Sequence, residues 1–235
     1  MKLDILAFGA HPDDVELSCS GTLLKHISQG KKVGIIDLTK GELGTRGNPA
    51  TRKLEAAKAA KILGVSVREN LNFADSFFLN DKEHQIEVVK AIRKYQPEII
   101  LANAPHDRHP DHGRASKLVT DACFLSGLKK ISQVKGRDSW RPKAIYYYIQ
   151  DVFLKPDFVV DISEYMNKKM ESIAAFSSQF HDPASKEPDT PISSPFFLEF
   201  VKGRCSVFGR MIGTRYAEGF VVGRPPGIKS FFDLE

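Results

Sequence analysis

ILAFGAHPDDVE, residues 5–16, joins a continuous apolar run to a histidine, a proline and two adjacent aspartates. The apolar half is typical of a strand buried on both faces of a parallel sheet. In open parallel sheets, ligands bind outside the carboxyl ends of the strands. The stretch therefore predicts a buried first strand with a chemical site directly after it.

The rest of the chain extends this pattern of strands and helices. Apolar runs predict further strands, and segments of helical period predict helices between them. The predicted strands, with the first, are 4–10, 32–38, 68–71, 98–102, 144–149 and 158–161, and the predicted helices are 15–29, 49–63, 83–95, 112–128, one opening at 163, and 196–212. This alternation predicts an α/β fold, a Rossmann-like open, mostly parallel sheet with helices on both faces, formed by residues 1–235 as a single domain.

Composition narrows the class of protein. The chain has 235 residues, 42% of them hydrophobic, and a formal net charge of +5. Its basic residues are spread out, which argues against a nucleic-acid surface and favours at most a small anionic partner. No apolar window reaches the ~20 residues of a membrane span, and the N-terminus is too polar for a signal peptide. The three cysteines lack metal or disulfide spacing, so we expect buried thiols in a cytoplasmic protein.

A second polar cluster, HDRHPDH at 106–112, follows another predicted strand. Either cluster alone is typical of a solvated loop or a helix cap, but two at strand ends of one sheet favour a shared metal site. His11, Asp14 and His112 would then offer two imidazoles and one carboxylate. Three protein ligands with an open position are typical of catalytic Zn²⁺. The same ligand set also serves non-haem Fe²⁺, so the ligand types leave the metal open.

The remaining polar residues of the two clusters suggest catalytic roles. Asp13, next to the ligand Asp14, could act as a general base toward the attacking water. His109 could stabilise the developing oxyanion as an imidazolium or protonate a leaving amine. Asp111 could orient His109 and raise its pKa. The sequence thus predicts a metal-assisted hydrolase.

The motifs AHPDDVE at 10–16, LTKGELGTRG at 38–47, R-x-x-E-A-x-x-A at 52–59 and HPDH at 109–112 resemble the PIG-L or LmbE-like metal-dependent N-deacetylases of N-acetylglucosamine derivatives. The resemblance extends through nearly the whole chain. The later motifs DISEY, SSQF and YAEGF, at 161–165, 177–180 and 216–220, are similar to the bacillithiol biosynthesis branch. The resemblance implies Zn²⁺ at the three ligands above, with Fe²⁺ an alternative in cells, Asp13 as base, and homo-oligomers.

Substrate contacts are also implied by the resemblance. They fall on Glu42, Arg52 and Asp75, and Arg108 is a further candidate for binding an anion. An alternative for Arg52 is a weak ion pair with Glu55 on one helix. These residues favour N-acetyl-D-glucosaminyl L-malate, a small N-acetylglucosamine conjugate with an acidic aglycone, as the substrate.

Other substrates and two other classes of protein stay open at this point. An inositol glycoside or a chitooligosaccharide would undergo the same reaction. A metal-binding protein without turnover is the alternative from a different class, and an iron oxygenase is a third possibility. The chain also departs from some relatives, which place a tyrosine hydroxyl from a late loop near the intermediate. Here that loop has Phe196 and Phe197, and Tyr216 is the candidate substitute.

Overall fold

The computed structural model describes residues 1–131, 134 and 138–233. Its seven strands are β1 Ile5–Gly9, β2 Val33–Thr39, β3 Val67–Phe73, β4 Ile99–Asn103, β5 Ala144–Tyr148, β6 Phe158–Asp161 and β7 Ala217–Val222. They form one sheet in the order β3-β2-β1-β4-β5-β7-β6. The first five strands pair in parallel, and β7 lies antiparallel between β5 and β6. The predicted α/β fold with a mostly parallel sheet is confirmed.

Helices cover both faces of the sheet. They are α1 Asp14–Ser18, α2 Ser20–Ser28, α3 Pro49–Leu63, α4 Lys82–Tyr95, α5 Pro110–Ser126, α6 Met166–Ala174 and α7 Phe197–Met211. Side chains alternate along β1, so Leu6 and Phe8 pack in a core with α4 and α5, while Ile5 and Ala7 pack in a core with α2 on the other face. Both cores are apolar, which explains the unbroken hydrophobic run of β1.

The predicted helix at 15–29 is two helices, because α1 ends at Ser18 and α2 begins at Ser20. The carbonyl groups at the end of α1 have partners from distant elements. Lys169 of α6 donates to the carbonyls of Glu16 and Leu17, and Arg204 of α7 donates to that of Leu17. Those side-chain donors satisfy carbonyls that a continuous helix would have used.

The C-terminal third departs from a simple continuation of the parallel unit. Strand β7 was not predicted, although its first residues lie in the YAEGF motif. Within β7, Glu218 accepts hydrogen bonds from the backbone N–H groups of Gly21 and Thr22 at 3.0 and 2.7 Å. The carboxylate thereby satisfies free donors at the start of α2. The antiparallel strand thus connects the end of the chain to the helices that follow the first polar cluster.

Two expectations about the whole chain can be compared with the structure. All three cysteines, Cys19, Cys123 and Cys205, are free and buried, as predicted. In the part of the chain that the structure describes, no helix is both long enough and apolar enough to cross a bilayer.

Candidate active site

The two polar clusters lie together at the carboxyl ends of β1 and β4. The ring centroid of His11 is 4.6 Å from that of His109 and 5.7 Å from that of His112. The rings of His109 and His112 stack with centroids 5.3 Å apart. One nitrogen from each of the three rings lies within 4.8 Å of the others. Because β1 and β4 are neighbours in the sheet, two loops far apart in the sequence form one site.

Asp14 lies between the two predicted histidine ligands. Its Oδ1 is 3.2 Å from His112 Nε2, and its Oδ2 is 3.6 Å from His11 Nδ1. The carboxylate also accepts hydrogen bonds from Gln150 Nε2 at 2.8 Å and Asn103 Nδ2 at 3.0 Å. Although burial opposes its charge, the neighbouring His112 and His11 hold the pKa of Asp14 well below its usual range. A charged, buried carboxylate flanked by two imidazoles is a suitable donor set for a divalent metal.

Behind His112 lies Asp107, whose side chain is 1% exposed. Its Oδ2 is 2.6 Å from His112 Nδ1, and its Oδ1 accepts hydrogen bonds from the backbone N–H groups of Asp151 and Val152. This contact places the proton on Nδ1 and directs Nε2 toward Asp14. Burial opposes the charge of His112, but Asp14 and Asp107 raise its pKa to about 9.

Asp107, Asn103 and Gln150 were not predicted from the sequence. A signal for each was present, since Asp107 lies inside the HDRHPDH motif and the other two are polar residues where apolar strands end. Asn103 is the last residue of β4, and Gln150 follows β5 by two residues. Polar residues at the ends of neighbouring parallel strands could therefore have extended the predicted site.

The Nε2 atom of His11 faces a second acidic pair. It lies 3.1 Å from Asp75 Oδ1 and 3.3 Å from Asp111 Oδ2. Asp75 Oδ2 accepts from the backbone N–H of Leu43 at 3.0 Å, and Glu42 Oε1 accepts from that of Asp75 at 2.8 Å. Glu42 and Asp75 are both predicted substrate contacts. In the structure the carboxylate of each accepts a hydrogen bond from the backbone of the loop that carries the other. Asp75 and Asp111, which both contact Nε2 of His11, orient the ring so that its Nδ1 faces Asp14.

His109 and Asp111 lie together, but not in the predicted way. The backbone N–H of Asp111 donates to His109 Nδ1 at 3.2 Å, while its carboxylate contacts His11 and the backbone N–H of Ser76. Burial, together with His11 and His112, lowers the pKa of His109, whereas the sequence-based expectation was a raised one. Since Nδ1 accepts a hydrogen bond, Nε2 carries the proton of the neutral ring.

Asp13 differs from Asp14 in its direction and its partner. It precedes α1, yet its side chain makes no capping hydrogen bond to that helix. Its Oδ2 lies 3.0 Å from Arg52 Nη2 instead. Burial raises the pKa of Asp13 to about 7, and the Arg52 guanidinium opposes that rise. A carboxylate with such a pKa is suited to accept a proton near neutral pH.

The two arginines predicted to bind an anion have carboxylate partners within the chain. Arg52 pairs with Asp13, and the exposed Arg108 pairs with Asp151. The alternative Arg52–Glu55 ion pair is not what the structure shows, because Glu55 accepts hydrogen bonds from Ser178.

Tyr216, the candidate for the late-loop hydroxyl, packs in a different part of the molecule. It lies against the cluster formed by Ile162, Met166 and Cys205. Phe196, in the late loop itself, is 70% exposed. The described contacts of Tyr216 therefore give it a packing role near β6 and β7.

The fold and the site together define an α/β protein with histidines and carboxylates gathered at the carboxyl ends of parallel strands, where ligands bind in such sheets. The chain belongs to the PIG-L family, described as GlcNAc-PI de-N-acetylase, which matches residues 6–123. Deacetylases of this family are metal-dependent, and two groups of donors here could hold a metal ion: His11, His109 and His112, and His11, Asp75 and Asp111.

Individual relatives agree with this assignment. The chain is 32% identical over 228 residues to the diacetylchitobiose deacetylase of Thermococcus kodakarensis, covering 92% of this chain and 81% of that protein. It is 26% identical over 189 residues to a probable N-acetyl-alpha-D-glucosaminyl L-malate deacetylase 2 of Bacillus anthracis, covering 75% and 81%. The crystal structure of a conserved protein from Thermus thermophilus has a TM-score of 0.88 and 34% identity, covering 97% and 98%.

Proposed function

We propose that this protein is a metal-dependent N-deacetylase that releases acetate from an N-acetylglucosamine conjugate. The observation that carries the proposal is the divergence of two adjacent carboxylates. Asp14 lies between His11 and His112, whereas Asp13 pairs with Arg52. This divergence supports Asp14 as a metal ligand and Asp13 as the group that accepts a proton.

The proposed mechanism assigns a step to each group of residues. His11, Asp14 and His112 would hold the metal, which when bound polarises a carbonyl and lowers the pKa of water. Asp13 accepts the proton of the attacking water. His109 donates a hydrogen bond from Nε2 to the developing oxyanion, and the proton that Asp13 accepted passes to the departing nitrogen as the C–N bond breaks. The products are acetate and the free amine of the sugar.

For the aglycone we propose an uncharged group, such as the second sugar of diacetylchitobiose. The support is the pairing of Arg52 with Asp13 and of Arg108 with Asp151, because both arginines already have a carboxylate partner. The relative from Thermococcus kodakarensis is named a diacetylchitobiose deacetylase, which gives it a substrate of this kind. N-Acetylglucosaminyl malate is the second candidate, favoured by the relative from Bacillus anthracis and by the net charge of +5.

An acetate-release assay tests both the proposed deacetylation and the proposed aglycone. Purified protein loaded separately with Zn²⁺ and Fe²⁺ is incubated with diacetylchitobiose, the malyl glycoside and the inositol glycoside of N-acetylglucosamine. We expect turnover with each metal-loaded sample and the highest kcat/KM for diacetylchitobiose. A higher value for the malyl glycoside would instead assign the acidic aglycone. Absence of acetate from all three substrates would leave a metal-binding protein without turnover.

A further inference from the structure

The backbone at Asp13 has an unusual conformation. Its φ is 120°, in a region that residues with a side chain rarely adopt. Such a conformation persists only when the surrounding contacts hold it. Arg52 Nη2 donates to the carbonyl oxygen of Pro12, just before this residue, and also lies 3.0 Å from Asp13 Oδ2. One guanidinium nitrogen thus contacts both the backbone and the side chain of the strained turn.

Arg52 itself is fixed by its surroundings. Its side chain is 5% exposed, and its guanidinium carbon lies 5.8 Å from the centre of the Phe176 ring. On another side, a Cβ added to Gly41 would come within 3.5 Å of that carbon. That distance is an ordinary van der Waals contact, so the backbone at Gly41, with a φ of +65°, forms a close wall beside the guanidinium. The side chain is therefore packed before any substrate arrives.

We propose that Arg52 is a positioning residue that holds Asp13 in the geometry required of the base, and that it does not bind a carboxylate of the substrate. The inference rests on the proposed function, because it takes Asp13 as the group that accepts the proton. The guanidinium contacts the Pro12 carbonyl and the Asp13 carboxylate through Nη2 while it lies over the Phe176 ring. A lysine at this position has a compact ammonium without the planar group that lies over Phe176.

Positioning and binding by Arg52 have different kinetic consequences. A residue that acts through the base changes kcat, because misplacing a catalytic group by about 1 Å can lower the rate ~100-fold. A residue that binds a carboxylate of the aglycone changes KM, and only for substrates that carry that carboxylate. The neutral diacetylchitobiose and the acidic malyl glycoside therefore form a matched pair of substrates.

The test compares Arg52→Lys with Lys53→Met, which removes a positive charge from the neighbouring, exposed position of α3. For Arg52→Lys we expect kcat to fall ~100-fold on every substrate that the wild type turns over, with KM changed less than about threefold. Lys53→Met should keep wild-type kcat. Metal content and melting temperature, measured for each variant, show that the fold and the metal site are intact. In Arg52→Ala, added guanidinium should restore part of the lost kcat.

Three further results test the inference and separate its failure from that of the proposed function. In an Asp13→Asn background, Arg52→Lys should cause little additional loss, because two residues that act as a unit are not additive. If the wild type is active and Arg52→Lys keeps the wild-type kcat but has a raised KM for the malyl glycoside only, this inference alone would be overturned. A metal-loaded wild type that releases no acetate would overturn the proposed function, and this inference with it.

Discussion

Asp107 lies 2.6 Å from Nδ1 of His112, on the side of the ring opposite the predicted metal site. The other nitrogen of that ring faces Asp14 at 3.2 Å. A carboxylate behind a histidine ligand fixes the ring orientation and increases its basicity as a ligand. The second oxygen of Asp107 binds the backbone N–H groups of Asp151 and Val152. His112 is therefore anchored, through Asp107, to the loop that follows β5.

We expect Asp107→Ala to weaken metal binding by about 10- to 100-fold, with Asp107→Asn between that variant and the wild type. The reason is that His112 loses the acceptor that holds its proton on Nδ1. Competition against a chromophoric chelator measures the affinity. Asp121→Ala is the control, because Asp121 lies on α5, the helix that carries His112, and pairs with Lys117 and Asn80 away from the site. Equal affinity of Asp107→Ala and wild type would contradict the role of Asp107.

Asp13→Asn should separate catalysis from metal binding. We expect kcat to fall by about 10² to 10⁴, because the amide cannot accept a proton from water. Metal content should stay at the wild-type level, since Asp14 and the two histidines are unchanged. Acetate release and atomic absorption on the same preparation check both expectations. Wild-type turnover in this variant would remove Asp13 from the mechanism.

Loss of the metal, or of one of its predicted ligands, should abolish catalysis together with metal binding. Treating wild-type protein with a chelator should abolish acetate release, and adding Zn²⁺ should restore it. His112→Ala should remain inactive after the same addition, because the metal then lacks one imidazole. The measurement is acetate release against added metal for both proteins. Full activity in the chelated wild type would show that the reaction needs no metal.

The buried Lys169 should be important for stability. Its side chain is fully buried, and Nζ lies 2.8 Å from Glu218 Oε1 and donates to the carbonyls of Glu16 and Leu17. Lys169→Met should lower the free energy of unfolding by about 3–5 kcal/mol, because it leaves the Glu218 charge buried without its partner.

Urea unfolding measures that change, and two variants serve as comparisons. Lys168→Met alters the neighbouring, exposed lysine and should leave the midpoint nearly unchanged. Adding Glu218→Gln to Lys169→Met should recover part of the loss, since the unpaired charge is removed. A wild-type midpoint for Lys169→Met alone would show that the buried ion pair contributes nothing to stability.

The three cysteines should not react with thiol reagents in the folded protein. Burial raises the pKa of Cys19, Cys123 and Cys205, and the thiolate is the reactive form. We expect negligible labelling by a chromogenic disulfide reagent at pH 8 and labelling of three thiols per chain in denaturant. Rapid labelling of the native protein would indicate that at least one of these sites opens readily.

Much of the fold could be predicted from local sequence because it depends on local patterns of burial. The unbroken apolar run at 5–9 requires a strand covered on both faces, and the segments of helical period at 49–63 and 83–95 correspond closely to α3 and α4. Strand β7 was missed. Its role depends on insertion between two other strands and on the contact of Glu218 with α2, neither of which a local pattern records.

The sequence by itself determined the residue types of the site and their position after β1 and β4, because apolar runs that end in histidine and aspartate mark strand ends. Only the tertiary structure decided which partner each side chain meets. It placed the Asp111 carboxylate on His11, Arg52 on Asp13, and Asp107 on His112. The physical reason is that these hydrogen bonds and ion pairs act over a few ångströms. They are therefore fixed by how helices and loops pack on the sheet, which short-range sequence patterns do not specify.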